Sequence, residues 1–298
     1  MLKYILPDKY YWRFIVKKVG LVLEGGSFRG IFTAGVLDFL LDKEISFPYV
    51  IGVSAGSGNG VNFIARQKGR TQKVITHENV EPYYGLGQFK QSKKVLNLDK
   101  MVFDYSYNEI PFDFDTFFNS NIESEFVVAN CETGEPQYLA PDNTRERVLQ
   151  ICKASMSVPI ICQPTEIDGY HYLDGSTLDS IPYRRAMEKG CEKIVVIMTR
   201  DENDEPTDYS KVKLLLNICY RSKYPKIVEA MIKRRALYEK QIKGLKSLEK
   251  KGKAFVIRPD GLNIGHFEND MEKVKEFYRH GYEVMEKSFE DLQGFLRS

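Results

Sequence analysis

The 298-residue chain carries 43 Lys/Arg against 41 Asp/Glu, a net charge of +2, with 43% hydrophobic and 28% charged residues. That balance suits a globular protein with a real core, and nothing in it points to nucleic acid as a partner. No run approaches the roughly 18 uncharged apolar residues of a membrane-spanning helix. The opening "MLKYILPDKYYWRFIVKKVG" breaks its apolar residues with charges every few positions, so it reads as neither anchor nor signal peptide. Five cysteines (Cys131, Cys152, Cys162, Cys191 and Cys219) are scattered without a CxxC pair. They read as buried thiols of a reducing cytoplasm, not as a disulfide framework or a zinc site, and neither metal nor cofactor is expected.

Along the chain, Val19–Leu23 is a short apolar run stopped by glycines, a buried strand. Apolar residues at helical spacing predict a helix over Ile31–Leu41, then a strand Val50–Val53 and a helix Ser54–Gln67. Strand, turn, helix repeated in this way opens a parallel α/β sheet. Residues 69–115, rich in Tyr, Asn, Lys and Phe, predict short helices and loops that cover the site. Further on come a strand Glu125–Ala129, a helix Asn143–Ser155 capped by Asn143, and a strand Tyr170–Leu173 ending at Asp174-Gly175. A helix Pro182–Lys189 leads to the strand Ile194–Met198. After the acidic loop Asp201–Asp208, helices are predicted at Tyr209–Tyr220 and Pro225–Lys250, then a strand Ala254–Ile257 and a terminal helix Glu268–Leu296. Strands spread over the whole length without a Pro/Gly/Ser linker predict one α/β domain over 1–298. Its 18–188 part carries the chemistry, and 189–298 adds strands and helices.

Two stretches carry chemistry. Gly52-Val53-Ser54-Ala55-Gly56 matches G-x-S-x-G at a strand-to-helix junction, where small flanking residues let a nucleophile sit on a tight turn. The helix that follows aims its N-terminal amides and positive dipole end at the reacting centre. Gly25-Gly26-Ser27-Phe28-Arg29-Gly30 lets backbone amides approach a ligand closely, either a phosphate or an oxyanion. A dinucleotide cradle would want a second glycine where Ser27 stands and an acidic residue ending the second strand, which ends instead in Gly52-Val53-Ser54. The oxyanion reading is therefore preferred. Ser54 needs a base. The order Ser54, Asp174, His266 would satisfy a triad, but few strands precede the elbow. Asp174, in Asp174-Gly175-Ser176, stands where glycine lets the loop turn sharply toward Ser54, whereas His266 in "NIGHFEND" reads as a surface or helix-start residue.

"LVLEGGSFRGIFTAGVLDFL", "IGVSAGSGNG", "ASMSVP" and "YHYLDGS", in that order between Lys18 and Glu188, resemble the patatin-like phospholipase family. The resemblance implies a three-layer α/β sandwich, with a mainly parallel sheet and helices on both faces. It also implies a serine–aspartate dyad of Ser54 and Asp174, working without histidine on lipid or fatty-acyl esters. Gly25, Gly26 and Ser27 would form the oxyanion hole, with Arg29, Gly30, Gly52, Gly56 and Gly175 as motif support. Ser27 departs from the usual third glycine, Ser176 from the usual Gly or Ala, and Glu24 stands where many members carry Asp. A Ser–His–Asp esterase using His266, and a non-catalytic lipid-binding protein that kept the fold, are the alternatives.

The segment Lys211–Lys253 holds 14 basic and 3 acidic residues. A solvated helix face is the preferred reading, and peripheral contact of a cytoplasmic protein with an anionic membrane surface is the alternative that this asymmetry suggests. The stripe Ile227, Met231, Tyr238, Ile242 and Leu245 is expected to dock on the sheet and leave the lysines in water.

Overall fold

Val19–Leu23 is apolar at every position, which fits a strand covered on both faces, and in the computed structural model all five residues are buried. The structure describes residues 18–142, 144–202 and 204–298. The strands are β1 (Val19–Leu23), β2 (Tyr49–Val53), β3 (Glu123–Asn130), β4 (Pro136–Leu139), β5 (Thr165–Ile167), β6 (Tyr170–Asp174), β7 (Lys193–Ile197) and β8 (Ala254–Ile257). They form one sheet in the order β5-β6-β3-β2-β1-β7-β8, with β4 paired to β3. Pairs β1–β2, β1–β7, β2–β3 and β7–β8 are parallel; β3–β4, β3–β6 and β5–β6 are antiparallel.

The helices are α1 (Gly30–Asp42), α2 (Ala55–Ile64), α3 (Arg70–Thr76), α4 (Gly85–Ser92), α5 (Phe114–Phe118), α6 (Arg145–Ser155), α7 (Tyr183–Glu188), α8 (Lys213–Tyr220), α9 (Pro225–Ile232), α10 (Arg234–Lys250), α11 (Met271–Lys287) and α12 (Phe289–Arg297). Alternation along the strands sorts them into two layers. Leu21, Leu23 and Val50 pack on one face with Phe32, Val61, Val148 and Phe277, from α1, α2, α6 and α11. Val22, Ile51 and Val53 pack on the other with Ala186, Tyr238 and Leu245, from α7 and α10. The helix–sheet–helix sandwich is thus the expected fold.

Several boundaries differ from the sequence reading. β4 and β5 were not anticipated, because they are only four and three residues long, too short to show a hydrophobic pattern. The predicted Tyr209–Tyr220 helix is a 3₁₀ turn (Tyr209–Val212) followed by α8. The Pro225–Lys250 helix breaks at Lys233 into α9 and α10, and the terminal helix breaks at Ser288 into α11 and α12. The expected cap Asn143 lies outside the described residues; α6 starts at Arg145, with the Thr144 hydroxyl accepting from the Arg147 amide. Over 70–118 the chain forms α3, α4, a π-helical segment Lys100–Glu109 and α5.

α11 crosses α1 at backbone contact. A Cβ on Gly35 would overlap the Tyr278 carbonyl oxygen, and one on Gly281 would overlap that of Phe32. Around this crossing the Tyr278 hydroxyl donates to Asp38 at 2.7 Å, that of Tyr282 to Asp42 at 2.8 Å, and Phe32 lies 5.5 Å from Phe277. We predict that Gly281→Ala destabilises by about 1–3 kcal/mol, the usual cost of overpacking. Thermal melting should show this as a Tm several degrees lower; an unchanged Tm would contradict the close crossing.

Candidate active site

The elbow at the C-terminal end of β2 holds Ser54 at φ 53 and ψ −125, as the N-cap of α2. Such a backbone costs a non-glycine residue about 1–3 kcal/mol unless its surroundings over-determine it. They do. Gly52 and Gly56 close the turn so tightly that a Cβ on either would overlap backbone, at the Gly56 and Leu23 carbonyl oxygens respectively. The Ser54 amide donates to the Ser155 hydroxyl at 2.9 Å, which donates onward to the Val127 carbonyl at 2.7 Å. The Ser57 amide and hydroxyl both donate to the Ser54 carbonyl, at 2.8 and 2.6 Å.

Asp174 ends β6, two strands away across β3. Its Oδ2 accepts the Ser54 hydroxyl at 2.6 Å, and its Oδ1 accepts the Ser176 amide at 2.8 Å. Gly175 lets this loop press on β3, since a Cβ there would overlap the Val127 carbonyl. Ser54 and Asp174 are both buried, at 4% and 3% exposure. Burial pushes the Asp174 carboxyl above the ordinary carboxylate range, against the opposing pull of its hydrogen bonds from Ser54 and Ser176 and of the Arg234 charge.

The glycine loop follows β1. Gly25 packs on Ser54, where a Cβ would lie 2.9 Å from that of the serine, and Gly26 packs on Thr199. Among the described residues, no hydrogen-bond acceptor is seen for the Gly25, Gly26 and Ser27 amides. Ser27 has φ 51, the left-handed region that favours glycine, which is the physical sense of a glycine being usual there. Gly30 begins α1 against Ala55. Beneath the loop, buried Glu24 accepts from the Thr199 amide at 2.7 Å and the Tyr238 hydroxyl at 2.7 Å, with Arg200 at 3.9 Å; the Thr199 hydroxyl also holds the Gly25 carbonyl at 2.7 Å.

Arg29 is buried and does not face the cavity described below. Its Nη2 lies 3.0 Å from His266 Nε2 and its Nη1 3.9 Å from Asp204. A guanidinium only donates, so His266 accepts through Nε2 and is neutral. Desolvation, then the charges of Arg29, Arg200 and Arg234, push this imidazole down to about 3, although the residue keeps an exposed edge where water screens part of the effect. Among the described residues, no histidine is hydrogen-bonded to Ser54 or Asp174.

From Ser27, Phe28 and Ser54 a largely apolar cavity of about 120 Å³ runs along α2, walled by Leu96, Val102, Leu149 and Met156. A hydroxyl on a carboxylate, amides without acceptors beside it and an apolar cavity together suit acyl transfer to serine.

Comparison with known proteins agrees in kind. A family model described as patatin-like phospholipase matches residues 21–187, more than half the chain. The chain belongs to the patatin-like phospholipase family. A second family model, a domain of unknown function termed DUF6363, matches residues 224–297. The uncharacterized protein YjjU of Escherichia coli is 32% identical over 190 residues, covering 61% of this chain and 52% of that one. Lysophospholipase NTE1 of Scheffersomyces stipitis is 26% identical over 288 residues, covering 91% of this chain and 18% of that one. This chain thus spans about half the length of YjjU and about a fifth of that NTE1. VipD from Legionella pneumophila superposes loosely, with a TM-score of 0.49 and 14% identity over 92% of this chain and 67% of that one.

Residues beyond the patatin-like match also reach the site: Arg234 and Tyr238, which the sequence reading gave no role there, and His266, which it weighed only as a base. Arg234 is buried and donates to the Ser176 carbonyl at 2.8 Å, the Thr207 carbonyl at 3.0 Å and the Ser180 hydroxyl at 3.2 Å. Tyr238 reaches Glu24, and the His266 carbonyl accepts the Phe28 amide at 3.2 Å. No motif announces them, because each acts through contacts remote in sequence. Ser155 did fall inside the quoted "ASMSVP" segment, though without a role.

The raised Asp174 pKa fixes the sign of a stability effect. Between the unfolded and the higher folded pKa the native state binds more protons, so stability falls as pH rises through that window. Asp174→Asn, uncharged throughout, should melt above the parent protein on the alkaline side, with the gap closing on acidification. Parallel Tm–pH curves for the two would contradict a buried carboxyl with a raised pKa.

Proposed function

We propose that the protein is a lipid acyl hydrolase of the phospholipase A, lysophospholipase or carboxylesterase type, in which Ser54 and Asp174 form a catalytic dyad. The observation that carries this is the 2.6 Å hydrogen bond from Ser54 Oγ to Asp174 Oδ2, at the end of an apolar cavity. The family membership and the lysophospholipase relatives support the same substrate class.

Asp174 accepts the Ser54 proton as Oγ adds to the ester carbonyl. Its raised proton affinity suits a base that works without imidazole. The carbonyl oxygen becomes an oxyanion held by the amides of Gly25, Gly26 and Ser27, aided by the positive end of α2. Collapse breaks the ester C–O bond, Asp174 gives its proton to the departing alkoxide, and an acyl-enzyme remains. Water, deprotonated by Asp174, then adds to the acyl carbon, and the second collapse frees the acid and returns the proton to Ser54. His266 is disfavoured as the base because its Nε2 faces Arg29. A non-catalytic lipid binder would use the same cavity but never form a covalent intermediate.

Ser54→Ala and Asp174→Asn should each lower ester hydrolysis by roughly 10⁴-fold or more, since groups acting as a unit fail together. His266→Ala should keep most of the activity. Steady-state kinetics on a chromogenic ester decides this, and a several-hundredfold loss in the histidine variant alone would favour the triad.

The same reading gives the protein a reason to meet anionic lipid, through α8 instead of the whole Lys211–Lys253 segment. On α10, Arg234 is buried, Arg235 pairs with Glu239 at 3.1 Å, and Lys246 pairs with Glu202. On α8, Leu214 and Ile218 are 75% and 71% exposed at i, i+4 spacing, flanked by Lys211, Lys213, Arg221 and Lys223. Tyr220 of α8 accepts the Ile160 amide through its hydroxyl at 2.7 Å, tying the helix to the loop whose Val158 lines the cavity. Among the described residues, no helix is long and apolar enough to cross a membrane. Replacing Leu214 and Ile218 by serine, and Lys211 and Lys213 by glutamine, should reduce co-sedimentation with anionic vesicles. Binding by the unaltered protein should weaken with salt as the Debye length shrinks. Equal binding to neutral and anionic vesicles would overturn the α8 assignment.

A further inference from the structure

Among the described residues, Arg70 is a buried cation without a carboxylate partner. It is 8% exposed and lines the same cavity as Ser54. Its Nε and Nη2 donate to the Ile110 carbonyl at 3.2 and 2.9 Å, Nη2 also to the Ser106 hydroxyl at 2.9 Å, and Nη1 to Asn62 Oδ1 at 2.9 Å. All these acceptors are neutral, and the guanidinium stacks 5.2 Å from the Phe112 ring centroid. The other buried arginines differ: Arg29 has Asp204, Arg200 has Glu24, and Arg234 feels Asp174 and Glu24. Desolvation lowers the Arg70 pKa to about 10, so the group is still a cation at neutral pH. A buried charge held only by neutral acceptors is costly. Of its five N–H donors, one on Nη1 has no acceptor among the described residues.

The α2 wall of the cavity leads from Ser54 to Asn62, which accepts from Arg70. Ala55, Gly58, Asn59 and Asn62 all line the cavity, at the i, i+3, i+4, i+7 spacing of one helix face. A cavity built only for hydrocarbon would not carry a cation held by neutral acceptors alone. From Ser54 to Asn62 is eight residues, or about 12 Å along the helix. The Arg70 end therefore lies one medium-length acyl chain from the nucleophile.

We propose that this cavity takes acyl groups whose far end is a carboxylate, with Arg70 as the residue that selects it. The inference rests on the reading of the cavity as an acyl pocket. In the ester of a dicarboxylic acid, the ester carbonyl sits at Ser54 and the free carboxylate reaches Arg70, supplying the missing counter-charge. Arg70 is a specificity residue and takes no part in bond making.

A binding measurement keeps this independent of turnover. Ser54→Ala protein is titrated calorimetrically with free straight-chain dicarboxylic acids and with monocarboxylic acids of matched length, over a ladder of lengths. One chain length should show the dicarboxylate binding about tenfold tighter or more, the range expected for a hydrogen bond to a charged group. Arg70→Met in the same background should remove that preference, and Arg70→Lys should keep part of it. Equal or weaker binding of the dicarboxylate at every length overturns the proposal, and does so even if Arg70→Met fails to fold. Absence of ester hydrolysis in the parent protein would instead remove the acyl-hydrolase reading, and the titration result would stand apart from it.

Discussion

The site depends on one constraint: a serine held at a backbone conformation that it does not favour. With φ 53 and ψ −125 at Ser54, the turn persists only because its neighbours leave no room to relax. Three chain reversals meet there, after β1, β2 and β6. The parallel arrangement of β1 and β2 puts the glycine loop and the elbow at the same edge of the sheet, where ligands of open α/β sheets bind. Antiparallel β6 enters beside β3 and delivers Asp174 to that edge from the opposite chain direction.

Buried charge then fixes the loops. Glu24 sits under the glycine loop with Thr199, Tyr238 and Arg200 around it, and Arg234 grips the carbonyl of Ser176 next to the Asp174 loop. Tyr238 and Arg234 belong to the region matched by the domain of unknown function, as does His266, whose carbonyl holds the Phe28 amide. That region also seats α11 on α1 through paired glycines. The two matched regions therefore meet at the candidate site and at a helix crossing behind it.

The sequence was most legible where backbone must approach backbone. Gly52, Gly56, Gly25 and Gly175 stand where a side chain would collide with main chain or with Ser54, so close packing left a readable trace. The buried strands β1, β2 and β7 were equally plain, since both faces demand apolar residues. Less legible were features that depend on contacts remote in sequence. Arg234 reads as part of a solvated basic run, yet it is 6% exposed and bonded to the aspartate loop. The breaks at Lys233 and Ser288 have no glycine or proline to mark them, and α8 buries Leu216 and Tyr220 but leaves Leu214 and Ile218 exposed, a division that apolar residues alone do not show.

The central claim, that Ser54 carries the acyl group, is tested most directly by catching it. Protein mixed with excess ester is quenched in acid within the first turnovers, digested and analysed by mass spectrometry. The acyl mass is expected on the peptide containing Ser54, in the parent protein and in His266→Ala alike, and on no peptide of Ser54→Ala. An acyl group on another residue, or undiminished hydrolysis by Ser54→Ala, would contradict it.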